Sequence, residues 1–450
     1  MPVSQDIFKA YDIRAVYPDA LTEEVAYRVG RAVSTTEMQA PAIVVGRDSR
    51  VSGPSLSEWL IDGVCDQGPD VVDIGLVSTD QFYFTCASEG LPGVMVTASH
   101  NPPQYNGFKM VASDGSVIGS GNGMDTVQKL VTDASFPTPV KTGRHTRKDI
   151  RKAFLDLLSG LVSPGSVGEL SVVVDAGNGG VGPVLSELFE RYPTLTVHPL
   201  FWEPDGRFPN RGPDPLKDGA LDRLMREVRT RGAGLGVAFD GDGDRVFFVD
   251  EDGEMVPPDF ITALLCEHLL GRSSERESVV LDLTVSRVAE DAVGRMNGQV
   301  LRERVGHTFI KRAMKNSGAL FGAERSGHYY FRDFFCADSG MRTLLSVLEL
   351  LTDQKRALKQ CVTPLRERYF ISDPLTFEVS EDPDRVIDRV KERFRDAEIG
   401  TMDGISVSYD DWRCVVRRSN TEPVVRAVVE AHSPDTLRIK IKELTDVISV

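Results

Sequence analysis

No stretch of this 450-residue sequence approaches the ~18 consecutive apolar residues of a membrane-spanning helix. The opening residues, MPVSQDIFKAYDIR, contain no basic segment followed by an apolar run, so neither a membrane span nor a signal peptide is expected. Cysteine is sparse: Cys65, Cys86, Cys266, Cys336, Cys361 and Cys414 are scattered, and no two form a CxxC pair. That spacing excludes a disulfide framework or a zinc ribbon and predicts reduced, buried thiols in a cytoplasmic protein. Positive charge is also short, with 52 Lys and Arg against 67 Asp and Glu, a net of −15. A chain so acidic is not built around nucleic acid or an anionic membrane. If it binds phosphate, it must do so with local arginine and lysine clusters or a metal ion.

The remaining composition suits a globular protein, 41% hydrophobic and 26% charged, which excludes disorder and collagen-like structure. At roughly 150 residues per domain, the length predicts three or four domains. Three places share one local grammar, a buried apolar strand, a polar loop and then a helical pattern. They begin at Ala42–Val45, Val172–Val174 and Val279–Leu283, each too short for a helix and rich in β-branched residues. Strands alternating with helices such as Leu185–Tyr192, Leu221–Arg229, Phe260–Leu270 and Met341–Leu351 predict α/β layers with mixed sheets. From Leu375 the order changes to strand, helix (Arg385–Arg395), three strands (Ile405–Tyr409, Trp412–Val416, Val424–Glu430) and a helix from about Ser433, a small antiparallel α+β unit. Breaks near Ser135–Gly143, Asp250–Pro258 and Thr363–Pro374 divide the chain into four expected domains, 1–143, 144–253, 254–365 and 366–450.

Four segments carry chemistry. Thr97-Ala98-Ser99-His100-Asn101-Pro102-Pro103 follows the strand Gly93–Val96, so Ser99 stands at the carboxyl end of an α/β strand, where such sheets place ligands. The prolines stiffen the loop, and Tyr105-Asn106-Gly107-Phe108-Lys109 returns a cation close to it. His100 adjoins Ser99, but neighbours along a chain often point apart, so it need not be the base of that serine. Asp240-Gly241-Asp242-Gly243-Asp244-Arg245 follows the strand Leu235–Ala238 and sets three carboxylates at alternate positions, an arrangement that can fold around a hard cation such as Mg²⁺ or Ca²⁺. An EF-hand reading would need glycine where Arg245 stands and helices on both sides, whereas Val246–Val249 reads as strand. Gly322-Ala323-Glu324-Arg325-Ser326-Gly327-His328 offers acceptors and donors suited to sugar hydroxyls, after a strand expected at Ala319–Phe321. Arg417-Arg418-Ser419-Asn420-Thr421-Glu422-Pro423, with Arg426 beyond, is equipped to cradle an anion. Arg14, Arg287 and His307 are further candidates, each as readily an ordinary surface or helix-end residue.

In this order, TASHNPPQYNGFK, DGDGDR, GAERSGH and RRSNTEPVVR resemble the four characteristic loops of the α-D-phosphohexomutase superfamily, in particular its bacterial phosphomannomutase/phosphoglucomutase branch. The resemblance spans nearly the whole chain. It implies four domains around a central cleft, the last like the TATA-binding-protein fold. It also implies reversible interconversion of hexose 1-phosphate and hexose 6-phosphate through a phosphoserine at Ser99 and a hexose 1,6-bisphosphate, which serves as intermediate and activator. Mg²⁺ would be held by Asp240, Asp242 and Asp244 with that phosphoserine. Arg14, Lys109, Arg245 and His307 would surround the reacting group, with Lys109 and His307 as acid/base candidates. Glu324 and Ser326, with His328 and Arg287 nearby, would bind the sugar. Arg417, Ser419, Asn420, Thr421 and Arg426 would hold the distal phosphate. The partner implied is a small phosphosugar, and the enzyme would be a monomer or dimer. Two departures from the family pattern stand out: Ala15 follows Arg14 where glycine is usual, with an expected effect on how that loop turns, and Ala323 adds a methyl group expected beside the sugar. Competing readings are a phosphoglucosamine mutase, a metal phosphatase and a Ca²⁺-binding protein without enzymatic activity.

Overall fold

The computed structural model describes residues 3–36, 38, 40–418 and 424–449. The chain divides into two compact units, Met1–Val256 with Gly327–Leu358, and Pro257–Ser326 with Lys359–Val450.

The first unit holds two mixed sheets built on one plan. In the first, the parallel strands Ala42–Arg47, Asp70–Leu76 and Gly93–Val96 occupy the middle, and Tyr105–Val111 and Ile13–Val16 add antiparallel strands on one side. The short strand His145–Arg147, beyond the break expected at Ser135–Gly143, pairs in parallel with Val71–Asp73 and closes the other side. In the second sheet Leu170–Asp175, Leu195–Leu200 and Leu235–Phe239 are parallel, and Val246–Val249 and Met255–Val256 return antiparallel. Strands such as Leu235–Phe239 are buried along their whole length, which is why they read as unbroken apolar runs. Helices cover the sheets. Glu23–Val33 packs its Val25, Ala26, Val29, Ala32 and Val33 face on Gly53–Gln67, and its first turn is capped by the Thr22 hydroxyl accepting from Val25 N.

In the second unit, Ser278–Asp282 lies between Gln299–Glu303 and Phe321–Ala323, all parallel. The C-terminal domain is the antiparallel sheet expected: Val424–Ala431 pairs with Trp412–Arg418, Leu375–Glu378 and Phe370–Ile371, and Ile405–Ser408 and Glu398–Gly400 continue it. Helices Pro383–Arg393 and Pro434–Ile448 supply Val386, Val390 and Leu444 to its core with Trp412.

Among the described residues all six cysteines are free thiols. Four are buried as expected, but Cys336 and Cys361 are partly exposed. Ala15 sits inside the strand Ile13–Val16 opposite Asn106 and has no positive φ, so no tight turn is required there and the expected effect on the loop does not arise. No helix among the described residues is long and apolar enough to cross a membrane.

Candidate active site

Four parallel-strand ends in the first unit point their carboxyl termini at one place. Ala42–Arg47 leads to Asp48, Gly93–Val96 to Ser99, Leu170–Asp175 ends on an aspartate, and Leu235–Phe239 leads to Asp240. Unpaired backbone and loop residues beyond parallel strands are where α/β sheets collect ligands. Ser99 is 3% exposed and has φ +49°, a left-handed conformation uncommon outside glycine. Its N–H donates to Thr97 Oγ1 at 2.9 Å, and its Oγ donates to Asp240 Oδ2 at 2.8 Å. The serine and the first aspartate of the acidic loop therefore meet, although 141 residues separate them. Gly241 makes the approach possible, because a Cβ there would lie 2.5 Å from the Ser99 carbonyl oxygen.

Asp240, Asp242 and Asp244 are buried, and each offers a carboxylate oxygen within 4.8 Å of the others. Asp240 Oδ1 accepts from Gly243 N and Arg245 N, which curls the loop back on itself. Asp242 Oδ2 accepts from Thr79 Oγ1 at 2.7 Å and from Thr97 Oγ1 at 3.1 Å. Lys109 Nζ lies 2.8 Å from Asp242 Oδ2 and 2.5 Å from Asp244 Oδ2. Asp242 Oδ1 is buried without a hydrogen-bond donor among the described residues, and Asp244 Oδ1 is approached only by His328 Nε2, at 3.4 Å. Three converging buried carboxylates outnumber the one ammonium set between them, and the donor-free Asp242 oxygen fits ligation of a hard divalent cation. The loop lies between strands rather than helices, which removes the EF-hand reading.

The charges of this cluster are strongly interdependent. Burial pushes the Asp240 carboxyl well above its ordinary range, and Asp244 and Asp242 push the same way. Burial acts likewise on Asp244, but Lys109, His328 and Arg245 outweigh it and hold that carboxyl well below the usual range. Burial disfavours the Lys109 ammonium, yet Asp242 and Asp244 outweigh it and hold that group well above the ordinary lysine range. The Arg245 guanidinium, then burial and Arg14, hold His100 well below an ordinary imidazole, so it is neutral at pH 7.

The remaining first-unit candidates assemble around this cluster. His100 Nδ1 is 3.3 Å from Ser99 Oγ, and Arg14 Nη1 donates to Asn101 Oδ1 at 2.7 Å from the neighbouring strand. His328 Nε2 lies 3.4 Å from Asp244 Oδ1 and 3.4 Å from Arg245 Nε. The structure thus places His328 at the carboxylates of the first unit, whereas Glu324 and Ser326 belong to the second.

In the second unit, Glu324 Oε1 accepts from Gly306 N at 2.7 Å, where the helix His307–Ser317 begins, so a buried carboxylate faces the positive end of a helix. Ser326 Oγ lies 3.4 Å from Glu324 Oε2. Arg287 caps a different junction: its N–H donates to Glu430 and its Nη1 to the Tyr409 carbonyl at 2.7 Å, tying the helix Arg287–Arg295 to the C-terminal sheet. Arg417 and Arg426 are direct cross-strand partners. Like charges set opposite each other repel, and an anion between them removes that cost. Arg417 is offset in part by Asp403 at 3.3 Å. Ser419, Asn420 and Thr421 lie outside the described residues.

Asp48, Thr97 and Thr79, which support the loops from behind, were not singled out from the sequence. Asp48 and Arg50 carry the one signal that could have found them, a charged Asp-x-Arg placed directly after a buried strand.

A serine in hydrogen-bond reach of a buried carboxylate triad, at the carboxyl ends of two α/β sheets, defines a group-transfer enzyme of the α/β class. Four family models match in chain order. They are the phosphoglucomutase/phosphomannomutase alpha/beta/alpha domain I at residues 5–137, domain II at 152–253, domain III at 257–369 and the C-terminal domain at 377–443. A phosphomannomutase of Escherichia coli is 37% identical over 96% of both chains, and a phosphoglucomutase of Neisseria gonorrhoeae is 35% identical over 95% of this chain and 94% of its own. The solved structure of a phosphoglucomutase/phosphomannomutase family protein from Burkholderia thailandensis superposes with a TM-score of 0.88 at 34% identity, covering 99% of this chain and 98% of that one. The chain belongs to the phosphoglucomutase/phosphomannomutase family and is a phosphohexomutase, an isomerase.

Proposed function

We propose that the enzyme interconverts the 1- and 6-phosphates of mannose and glucose by carrying a phosphoryl group on Ser99. The Ser99 Oγ–P bond breaks as a bond forms from phosphorus to the free hydroxyl of a hexose monophosphate, giving the 1,6-bisphosphate. The bisphosphate turns end for end, and Ser99 Oγ takes back its other phosphoryl group. The observation that carries this reading is the Ser99 Oγ to Asp240 Oδ2 hydrogen bond of 2.8 Å inside a buried carboxylate triad. Asp240, Asp242 and Asp244, with the phosphoserine, would hold Mg²⁺, which when bound supplies positive charge to the phosphoryl oxygens.

Around that group, Lys109 and Arg245 offset negative charge, and Arg14 orients the loop through Asn101. Lys109 holds its proton between two carboxylates, which suits an electrostatic partner better than the base first considered for it. The accepting hydroxyl must lose a proton, and His100 is the neutral imidazole closest to Ser99 Oγ. Glu324 and Ser326 take the sugar hydroxyls, His307 stands where Glu324 meets its helix, and Arg417 and Arg426 with Ser419, Asn420 and Thr421 take the phosphate that does not react. The four domains are taken as residues 1–143, 144–253, 254–365 and 366–450, in a cytoplasmic monomer or dimer. Glucosamine phosphates, which differ at C2, are not favoured, because curated relatives at 34–37% identity are phosphomannomutases and phosphoglucomutases.

Incubating the protein with mannose, glucose and glucosamine 1-phosphates plus a trace of glucose 1,6-bisphosphate tests the reading. Mannose and glucose should isomerise, peptide mapping should find phosphoryl on Ser99, and Ser99→Ala should lose at least ~10³-fold in turnover. Normal turnover by Ser99→Ala, or release of inorganic phosphate without isomer, would reject it.

A further inference from the structure

Arg50 is fully buried, and its guanidinium has a partner for each of its five N–H donors. Nε donates to Asp48 Oδ2 at 3.2 Å. Nη1 donates to the carbonyls of Pro102 and Tyr105, both at 2.8 Å. Nη2 donates to the carbonyls of Ser99 at 2.7 Å and Asn101 at 2.6 Å. Four carbonyls of the serine loop are thus held by one planar group. Asp48 extends the hold: its Oδ2 accepts from Thr97 Oγ1, which also reaches Asp242 Oδ2 and accepts from Ser99 N. Ser99 is fixed on both sides of its strained φ, by Thr97 at the N–H and by Arg50 at the carbonyl.

The acidic loop has a counterpart. Arg211 Nε donates to Asp175 Oδ2 at 2.9 Å, and its Nη2 donates at 2.5 Å to the carbonyl of Phe239, the residue before Asp240. Phe208, three residues earlier on the same turn, lays its ring 5.3 Å from the Arg50 guanidinium carbon and is itself 4% exposed. The turn is seated closely: a Cβ at Gly206 would lie 2.3 Å from both the Ser49 carbonyl oxygen and Val51 N. One short segment therefore touches the group that shapes the serine loop and the group that shapes the acidic loop.

We propose that Arg50, capped by Phe208 and joined through that turn to Arg211, is a positioning clamp that sets Ser99 Oγ against Asp240 for phosphoryl transfer. The inference rests on the reading of Ser99 as the phosphoryl carrier. Neither arginine is a phosphate ligand in this account, because their donors are committed to carbonyls and carboxylates. Their effect falls on the transfer step, where a misplacement of about 1 Å costs on the order of 100-fold in rate, and leaves recognition of the distal phosphate alone.

The test measures Tm, KM, kcat and the single-turnover transfer of label from phosphorylated enzyme to glucose 1-phosphate. Arg50→Lys has three donors for five acceptors, so transfer and kcat should fall about 100-fold while KM stays within about threefold. Phe208→Leu keeps apolar volume and removes the ring face, and Arg211→Lys removes the planar fork; each should show the same split at about 10-fold. Tyr192→Phe deletes a buried hydrogen bond to the Val162 carbonyl and serves as a control that lowers Tm without changing kcat. If Arg50→Lys does not fold, the other two variants decide. A folded variant that transfers label at the wild-type rate, or one that raises KM with kcat intact, overturns the clamp. Label on a wild-type residue other than Ser99 would instead overturn the assignment of the carrier.

Discussion

On the proposed function, the serine and aspartate loops of the first unit and the paired arginines of the second serve opposite tasks. In the first, every aspartate is buried, Ser99 is held at both its N–H and its carbonyl, and Lys109 lies between two carboxylates. In the second, Arg417 and Arg426 face each other across two strands, and Arg426 and Arg418 are exposed. Bond making requires charges fixed in advance where the charge develops, since donors and cations that need not reorganise stabilise a transferring phosphoryl group most. Recognition in a mutase must instead accept either end of the same sugar, and bidentate guanidinium donors on strand ends grip a phosphate without reading what it is attached to. The contrast predicts that changes in the first region act on kcat and changes in the second act on KM.

The largest test of that contrast is Asp242→Asn. This carboxylate accepts from Thr79, Thr97 and Lys109 through one oxygen, while the other is buried without a donor among the described residues. Removing its charge should cut turnover about 100- to 1,000-fold and raise the Mg²⁺ concentration needed for half-maximal rate, with KM for glucose 1-phosphate little changed. A wild-type Mg²⁺ titration curve would break the assignment of the triad to metal.

A smaller effect is expected in the second unit. Arg417→Ala removes a charged donor from the phosphate but also relieves its repulsion with Arg426, so KM should rise about 10- to 100-fold while kcat falls less. Equal losses in kcat and kcat/KM would place Arg417 in the transition state and collapse the distinction between the two regions.

The same division marks what could be read from the sequence. Strands buried on both faces, such as Gly93–Val96 and Val246–Val249, announce themselves as apolar runs and fall where periodicity puts them. The strand expected at Ala319–Phe321 lies at Phe321–Ala323, because Gly322 and Ala323 continue the parallel pairing with Val280 and Leu281 though neither has strong strand propensity. His145–Arg147 was invisible for the opposite reason: an exposed three-residue edge strand has no apolar pattern at all. Among site residues, Ser99 and the three aspartates stood out because unusual residue types cluster in sequence. Phe208 and Arg211 are single residues whose meaning arises only when chain segments far apart converge, and Arg50 has no more than its place two residues after Asp48 to mark it. His328 looked like part of the Glu324 and Ser326 loop, yet the chain's division passes between Ser326 and Gly327 and leaves it beside Asp244.

Ala323 offers the smallest and most specific test of where recognition ends. It was expected to set a methyl group beside the sugar. Instead it is 0% exposed, the last residue of a parallel strand and the register partner of Leu281. A methyl group touching substrate is worth roughly 10- to 200-fold in discrimination, whereas one enclosed in a sheet has no means of distinguishing sugars that differ at C2. Ala323→Gly should therefore change the ratio of kcat/KM for mannose 1-phosphate over glucose 1-phosphate by less than about threefold, while lowering Tm through the lost buried methyl and the freer backbone. A shift of tenfold or more in that ratio would mean that the strand end opens to the sugar during turnover, and would move the boundary between fixed scaffold and adaptable recognition inside the Glu324 loop.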